Sequence, residues 1–288
     1  MKWLILGGGQ LAKSLEANLT TDNTNFISLT HDQLDITNAG HVQEIFLAER
    51  PNVVVNAAAW TNVDLAETNE AEARNVNAKG PEILAGASAK IESLFVQIST
   101  DYVFSGQSKT PWKENSLTAP ISAYGRTKAE GEARVRREYE RGSLIVRTAW
   151  LYSHFGKNFV KTMAEIAIKE SRDVEVVSDQ IGQPTSAYDL AAQLRLLIDA
   201  DSKSGIYHAT NSGSASWYEL AQLVFELCDA NSERVKPIGT PKNSNLAVRP
   251  TYSVLDNENW ALEGLLPMRD WRTALESALP LIISELNG

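Results

Sequence analysis

Trp3-Leu4-Ile5-Leu6-Gly7-Gly8-Gly9-Gln10-Leu11-Ala12 is the stretch on which the fold turns. Four apolar residues make a short buried strand, and the glycines stop it. Leu11, Leu15 and Leu19 then recur at helical spacing. In that order of strand, turn and helix, Gly7, Gly9 and Ala12 satisfy the pattern G-x-G-x-x-G/A. Glycine lets the backbone approach a pyrophosphate. The helix N-terminus adds unpaired N–H groups and a favourable dipole. A tight strand-to-helix turn with no ligand would use the same residues, so the surrounding chain decides between the two.

The rhythm continues outward from that turn. Phe26-Ile27-Ser28-Leu29 is a second strand, and Thr37 or Asn38 can cap a helix carrying Val42, Ile45, Phe46 and Leu47. Val53-Val54-Val55 is a third strand, a helical stretch runs from about Thr68 to Ala89, and Leu94-Phe95-Val96-Gln97-Ile98 is a fourth strand. Residues 105–120 read as a loop, and Leu144-Ile145-Val146 is the next strand. Apolar strands alternating with helices indicate a parallel sheet covered on both faces. The expected fold is a Rossmann-type, doubly wound α/β sheet over residues 1–150, with strands near 174–177 and 205–208 returning to it. Residues 151–288 are expected to form a smaller, partly interleaved, mainly substrate-binding domain. Its helices are predicted at 160–168, 187–197, 217–228 and 271–286.

Composition narrows the function classes. With 43% hydrophobic and 22% charged residues in 288, the chain is an ordinary globular sequence. A net charge of -9 argues against non-specific nucleic-acid binding. No apolar run is long enough to span a bilayer. Trp3–Leu6 is too short for a secretory signal core, so a cytoplasmic protein is expected. Cys228 is the single cysteine and lies among Leu223, Val224, Phe225 and Leu227, which suits a buried structural thiol. His31, His41, His154 and His208 lack metal-ligand spacing.

Chemistry concentrates near Tyr124-Gly125-Arg126-Thr127-Lys128. Four residues apart on a helix places the phenol and the ammonium on one face. A cation there is expected to lower the tyrosine pKa from ~10 and ready it as a proton donor. Thr100 and Asp101 end the fourth strand, where a hydroxyl can donate to a substrate carbonyl oxygen. Asn56-Ala57-Ala58-Ala59 follows the third strand on the same edge, and small residues there admit a ligand. Trp150 follows the fifth strand and offers an aromatic face to a sugar or base. Trp217, Trp260 and Trp271 read as core or surface-anchored aromatics. Arg134, Arg136, Arg137 and Arg141 read as a solvated helix face. Beyond the second strand, Asp32 could hold a ribose hydroxyl, whereas Thr30 and His31 could tolerate a 2′-phosphate. NADH and NADPH both remain open.

Longer segments carry a family resemblance. Asn56-Ala57-Ala58-Ala59-Trp60-Thr61-Asn62-Val63-Asp64-Leu65-Ala66-Glu67 and Ser99-Thr100-Asp101-Tyr102-Val103-Phe104-Ser105-Gly106 resemble segments of the dTDP-4-dehydrorhamnose reductases, extended short-chain dehydrogenase/reductases. So do Gly156–Val160, Asp179–Thr185 and Arg249–Asp256. The resemblance implies reduction by NADPH or NADH of the C4 keto group of dTDP-4-dehydro-6-deoxy-L-mannose, giving dTDP-L-rhamnose. It makes Tyr124 the proton donor, Lys128 the ribose-holding residue and Thr100 the group that polarises the carbonyl. Thr100, Asp101 and Trp150 would contact the sugar. Gly7, Gly9, Gln10, Leu11, Asp35, Ile36, Ala57, Ala58, Ala59, Trp60 and Thr61 would line the cofactor. Members are often homodimers, in some cases with Mg2+ at the interface, and the ligands for such a metal are not identifiable in this sequence. Two departures stand out. The glycine loop is one residue shorter than the family's usual G-x-x-G-x-x-G, and Trp60 replaces a usual Tyr or His. Two other readings share the scaffold: a reductase or epimerase of another nucleotide sugar, and a non-catalytic dinucleotide-binding subunit resembling the regulatory subunit of methionine adenosyltransferase.

Overall fold

The computed structural model describes residues 1–241 and 246–287. Its first half follows the apolar runs. In chain order come β1 (Lys2–Leu6), α1 (Gln10–Thr21), β2 (Asn25–Leu29), α2 (Ala39–Glu49), β3 (Val53–Asn56), α3 (Val63–Thr68) and α4 (Glu70–Arg74). One π-helical turn, Asn75–Lys79, joins α4 to α5 (Gly80–Lys90), followed by β4 (Leu94–Thr100), α6 (Ala123–Tyr139) and β5 (Ser143–Thr148). The predicted stretch from Thr68 to Ala89 is thus helical but interrupted by that wider turn.

The second half is shorter in its pieces: β6 (Leu151–Tyr152), α7 (Phe159–Lys169), β7 (Val174–Val177), β8 (Ile181–Gly182), β9 (Thr185–Ser186), α8 (Ala187–Asp199) and β10 (Gly205–His208). Then come β11 (Ala215–Ser216), α9 (Trp217–Leu227), β12 (Val235–Ile238), α10 (Glu258–Leu262) and α11 (Trp271–Asn287).

Six strands form one parallel sheet in the order β10-β5-β4-β3-β1-β2. The chain runs outward from β1 to β2, then crosses back to β3 and proceeds the other way. That reversal opens a crevice beyond the carboxyl ends of β1 and β3, where open α/β sheets bind ligands. Val53, Val54, Val55 and Asn56 are all buried, as a strand covered on both faces must be. One face packs Leu11, Leu15 and Leu19 of α1 against Leu190, Leu194 and Leu197 of α8. The other packs Val42 and Phe46 of α2 against Leu84 of α5 and Val135 of α6.

The later elements enclose a separate core of Val160, Met163, Val224, Phe225, Leu275 and Ile282, among others. β10 joins the central sheet beside β5, as predicted. β7 does not: it pairs in parallel with β12, outside that sheet. Only Val174 and Val176 are buried in β7, whereas Glu175 is exposed. A strand with one wet face belongs at the margin of a small core, not between two helical layers. Cys228 closes α9 as a half-buried free thiol, and burial pushes its pKa up to about 11.

Candidate active site

A cleft of about 530 Å³ opens at the carboxyl edge of the sheet. Gly8, Gly9, Gln10 and Leu11 form one end of it, and Ala57, Ala58, Ala59 and Thr61 form a wall. Thr100, Asp101, Tyr124, Lys128 and Trp150 face the same space. Residues as far apart in sequence as Gly8 and Trp150 are therefore gathered by the strand order.

The glycine turn fits a dinucleotide. No side chain caps α1 at Gly9, which leaves the first N–H groups of the helix directed at the cleft. A Cβ at Gly9 would meet nothing within 4 Å, so ligand atoms can approach that backbone closely. Gly7 serves a different purpose. Its φ is +120° and a Cβ there would lie 2.9 Å from Ala58 N, so glycine lets the turn pack against the wall after β3. The Gln10 side chain is occupied as a tie. Its Oε1 accepts from Ser153 Oγ at 3.1 Å and Asn158 Nδ2 at 2.9 Å, joining α1 to the later half.

Besides Gly7, three residues implied as cofactor contacts stand outside the lining of the cleft. Asp35 is exposed, and its carboxylate accepts from Thr37 N at 2.9 Å and Thr37 Oγ1 at 2.8 Å. Those two bonds hold its pKa below the usual carboxylate range. Ile36 is buried in the helix-covered core, against Gly80. Trp60 is turned aside by Asn77, whose Oδ1 accepts from Trp60 N at 2.9 Å, and its indole N–H donates to Asn62 O at 3.0 Å. Asp32, Thr30 and His31 lie in the exposed turn after β2, and Thr30 Oγ1 is tied to Gln33 Oε1 at 3.2 Å.

The catalytic set is held from below. Ser122 caps α6 by accepting from Gly125 N at 3.2 Å, and Glu67 Oε1 accepts from Ala123 N at 2.8 Å. A Cβ at Gly125 would lie 2.2 Å from Tyr102 O, so only glycine lets α6 settle on the turn after β4. That contact brings Tyr124 beside Thr100 and Tyr102, with the Tyr102 and Tyr124 rings edge-on at 5.6 Å. Lys128 is 4% exposed, and its ammonium donates to Ile98 O at 2.6 Å. Thr100 Oγ1 donates to Asp101 Oδ1 at 2.9 Å. Asp101 is 1% exposed, and its Oδ2 has no partner. The Ser253 side chain packs against this buried carboxylate.

Charge states differ from the sequence expectation. Burial pushes Tyr124 up to about 12, only partly opposed by the Thr100 hydroxyl. Burial outweighs any lowering by the neighbouring cation, whose ammonium donates to the Ile98 carbonyl. Burial instead lowers Lys128 to about 8, with Glu132 pulling it upward. Burial also raises Asp101 to about 6. At neutral pH the set is a neutral phenol, an ammonium and a carboxylate, the protonation that proton donation during a reduction requires.

Residues passed over by the sequence reading complete the site. Trp217 lines the cleft and stacks on Trp150 with centroids 3.6 Å apart. Lys13 and Lys157 add positive charge near the glycine turn, and Lys13 lies 5.5 Å from the Phe155 ring centroid. Asp64 and Arg249, from two of the quoted family segments, pair bidentately at 2.7 and 2.8 Å, fixing the later tail beside Tyr102. Only spacing toward distant partners distinguishes these residues, and that information is three-dimensional. Among the described residues no group of three or more His, Cys, Asp or Glu side chains gathers to hold a metal, so nothing in this chain supports the Mg2+ that the resemblance implied. No helix among them is long and apolar enough to cross a membrane.

Comparison with known proteins agrees with this geometry. Residues 1–282 match the family described as the RmlD substrate binding domain. The chain is 45% identical to a probable dTDP-4,6-dihydroxy-2-methyloxan-3-one 4-ketoreductase of Streptomyces antibioticus, over 99% of this chain and 96% of that one. It is 42% identical to the dTDP-4-dehydrorhamnose reductase of Streptomyces griseus, over 98% and 94% of the two chains. The crystal structure of dTDP-4-dehydrorhamnose reductase from Bacillus anthracis in complex with NADP superposes with a TM-score of 0.91 at 37% identity, covering 97% of each chain. With a family match over nearly its whole length, this chain belongs to the RmlD family of nucleotide-sugar reductases.

Proposed function

We propose that this protein reduces the C4 keto group of dTDP-4-dehydro-6-deoxy-L-mannose with NADPH or NADH, forming dTDP-L-rhamnose. The observation that carries the reading is the convergence of Thr100, Tyr124 and Lys128 on the cleft that the uncapped N-terminus of α1 enters. Residues 1–150 supply the dinucleotide half, and residues 151–288 mainly the sugar half. The free thiol of Cys228 suits a reducing, cytoplasmic setting.

The bound dinucleotide would lie with its pyrophosphate at Gly8–Leu11 and would supply the hydride to C4. With substrate bound, Thr100 Oγ would turn its hydrogen from Asp101 Oδ1 to the carbonyl oxygen and draw charge onto it. Tyr124, neutral at working pH, passes its proton to that oxygen as the C–O bond order falls. Lys128 stays charged below pH 8 and would hold the ribose of the bound dinucleotide beside Tyr124. Asp101, which lines the cleft next to Thr100, would contact the sugar. The gathered alanines and indoles exclude water from the wall of the cleft.

A second reading keeps the chemistry and changes the sugar. The Streptomyces antibioticus relative is named for 4-ketoreduction of a different dTDP-linked sugar, and it shares 45% identity with this chain. Product analysis separates the two. Incubation with dTDP-4-dehydrorhamnose and NADPH should give dTDP-L-rhamnose with one reductant consumed per product. Turnover without net reductant loss would mean epimerisation. Faster turnover of another dTDP-4-keto-6-deoxy sugar would favour the second reading.

A further inference from the structure

Trp150 holds a backbone conformation that bulky residues avoid, with φ +44°. It lies directly after β5, at the carboxyl edge of the sheet, and its indole lines the cleft with Thr100 and Asp101. Something must hold it there. Its ring stacks on Trp217 with centroids 3.6 Å apart and planes 7° from parallel. Phe159 backs Trp217 in turn, at 4.7 Å and 59°. The same indole also presses on Gly182. A Cβ added there would lie 2.4 Å from Trp150 Cε2, 2.6 Å from Cζ2 and 2.7 Å from Nε1.

Gly182 and Trp217 are not independent contacts. Gly182 ends β8, and Trp217 follows β11, the antiparallel partner of β8 in which Ala215 stands opposite Gly182. One small ribbon thus carries both contacts. The start of α9 is fixed by a capping box, in which Ser216 Oγ accepts from Glu219 N at 3.1 Å and Glu219 Oε2 accepts from Ser216 N at 2.7 Å. Trp217, the first residue of that helix, therefore has little freedom to retreat.

We propose that Trp217, placed directly after the strand that pairs with Gly182, is a positioning residue that fixes Trp150 as the rigid wall against which the sugar end of the nucleotide sugar is seated. The identity of that sugar rests on the reductase reading above, but the clamp itself does not. Stacking replaces rotamer freedom with a single ring orientation, so the substrate meets a preformed surface and orders nothing on binding. Trp217 does no proton chemistry. Its loss should weaken sugar binding while leaving the dinucleotide end of the cleft intact.

The test compares Trp217→Ala, Trp217→Phe and Gly182→Ala with the unaltered protein. Trp217→Ala should raise KM for the nucleotide sugar about tenfold or more, with a smaller change in kcat and an unchanged NADPH Kd. Trp217→Phe should recover most of the loss, because a phenyl ring can still stack. Gly182→Ala should reproduce the KM defect with every aromatic residue in place. Circular dichroism supplies a reading independent of substrate. The exciton band of the stacked indole pair should vanish in Trp217→Ala and change in Gly182→Ala. An unchanged KM in Trp217→Ala would overturn the seating of the sugar. An exciton band unaltered in Gly182→Ala would overturn the clamp, even if the protein proved inactive on every dTDP sugar and the reductase reading had failed.

Discussion

Glu132 and Arg147 form a bidentate ion pair sealed beneath the catalytic edge of the sheet. Arg147 Nη2 lies 2.6 Å from Glu132 Oε2, and Arg147 Nε donates to Glu132 Oε1 at 2.9 Å, with side chains 2% and 6% exposed. The pair joins α6 to β5. Ser99 Oγ adds β4 by donating to Glu132 Oε1 at 2.5 Å. Arg147 Nη1 also donates to Glu114 O at 3.2 Å and meets His208 Nε2 at 3.3 Å. Burial and the Arg147 charge depress His208 to about 3, so its Nε2 accepts while Nδ1 donates to Asp256 O at 2.9 Å. Glu132 is one helical turn beyond Lys128, and Ser99 immediately precedes Thr100, so this pair sets the helix of the acid against the strand of the hydroxyl.

Breaking that pair on one side leaves an uncompensated buried charge. Glu132→Leu or Arg147→Met alone should lower stability by about 3–5 kcal/mol. The double replacement should recover much of that loss, since two apolar groups carry no unpaid desolvation. Urea midpoints of the three variants check this. Equal destabilisation in the single and double variants would show that packing, not charge, dominates.

The pH dependence follows from burial of Lys128. Its ammonium is needed and persists below about 8, whereas Tyr124 stays protonated up to about 12. The profile of kcat/KM should therefore fall on the alkaline side with an apparent pKa near 8, set by the lysine rather than the phenol. The stability linkage has its own sign. Between about 8 and the ordinary lysine value of 10.5 the unfolded chain binds the extra proton, so this group's contribution to stability rises with pH across that window. A profile flat to pH 10 would contradict the assignment.

Gly125 tests how closely α6 must approach β4. A methyl group there would collide with Tyr102 O, at 2.2 Å from the added carbon. Gly125→Ala should shift Tyr124 by a fraction of an ångström to about 1 Å and lower kcat roughly 10- to 100-fold, with the circular dichroism spectrum of the fold retained. Full activity would mean that the helix can slide without cost.

Asp64 and Arg249 give a milder case. Their pair is partly exposed, with side chains 36% and 26% accessible, so solvent screens much of its worth. Asp64→Asn should cost at most about 1 kcal/mol in stability. It should raise KM for the nucleotide sugar more than KM for the dinucleotide, because the tail it anchors packs beside Tyr102. Separate titrations of the two substrates would show the difference.

The parts of this fold visible in sequence are those with uniform surroundings. β3 and β4 are covered on both faces, so Val53-Val54-Val55 is an unbroken apolar run and Leu94–Ile98 is apolar but for the buried Gln97. The short Val174–Val177 run has a similar composition but a wet face, and its alignment with β12 depends on a partner about 60 residues away. Tyr124 and Lys128 were legible because helical spacing is local. The raised pKa of Tyr124 was not, since it comes from burial that only the assembled fold creates. Trp217 looked like any aromatic at a helix start. Its partner Trp150 and the glycine that makes room for both come from other strands. Asp35 has the residue type for a ribose contact, but Thr37 takes its carboxylate first.

The most direct measurement is oxidation of NADPH and NADH at 340 nm with enzymatically generated dTDP-4-dehydrorhamnose, beside a Tyr124→Phe control. The account predicts oxidation with one or both dinucleotides and a loss of roughly 10²–10⁴-fold in the control, the scale of a missing general acid. Undiminished oxidation in Tyr124→Phe, or none in the unaltered protein with any dTDP-4-keto-6-deoxy sugar, would contradict it.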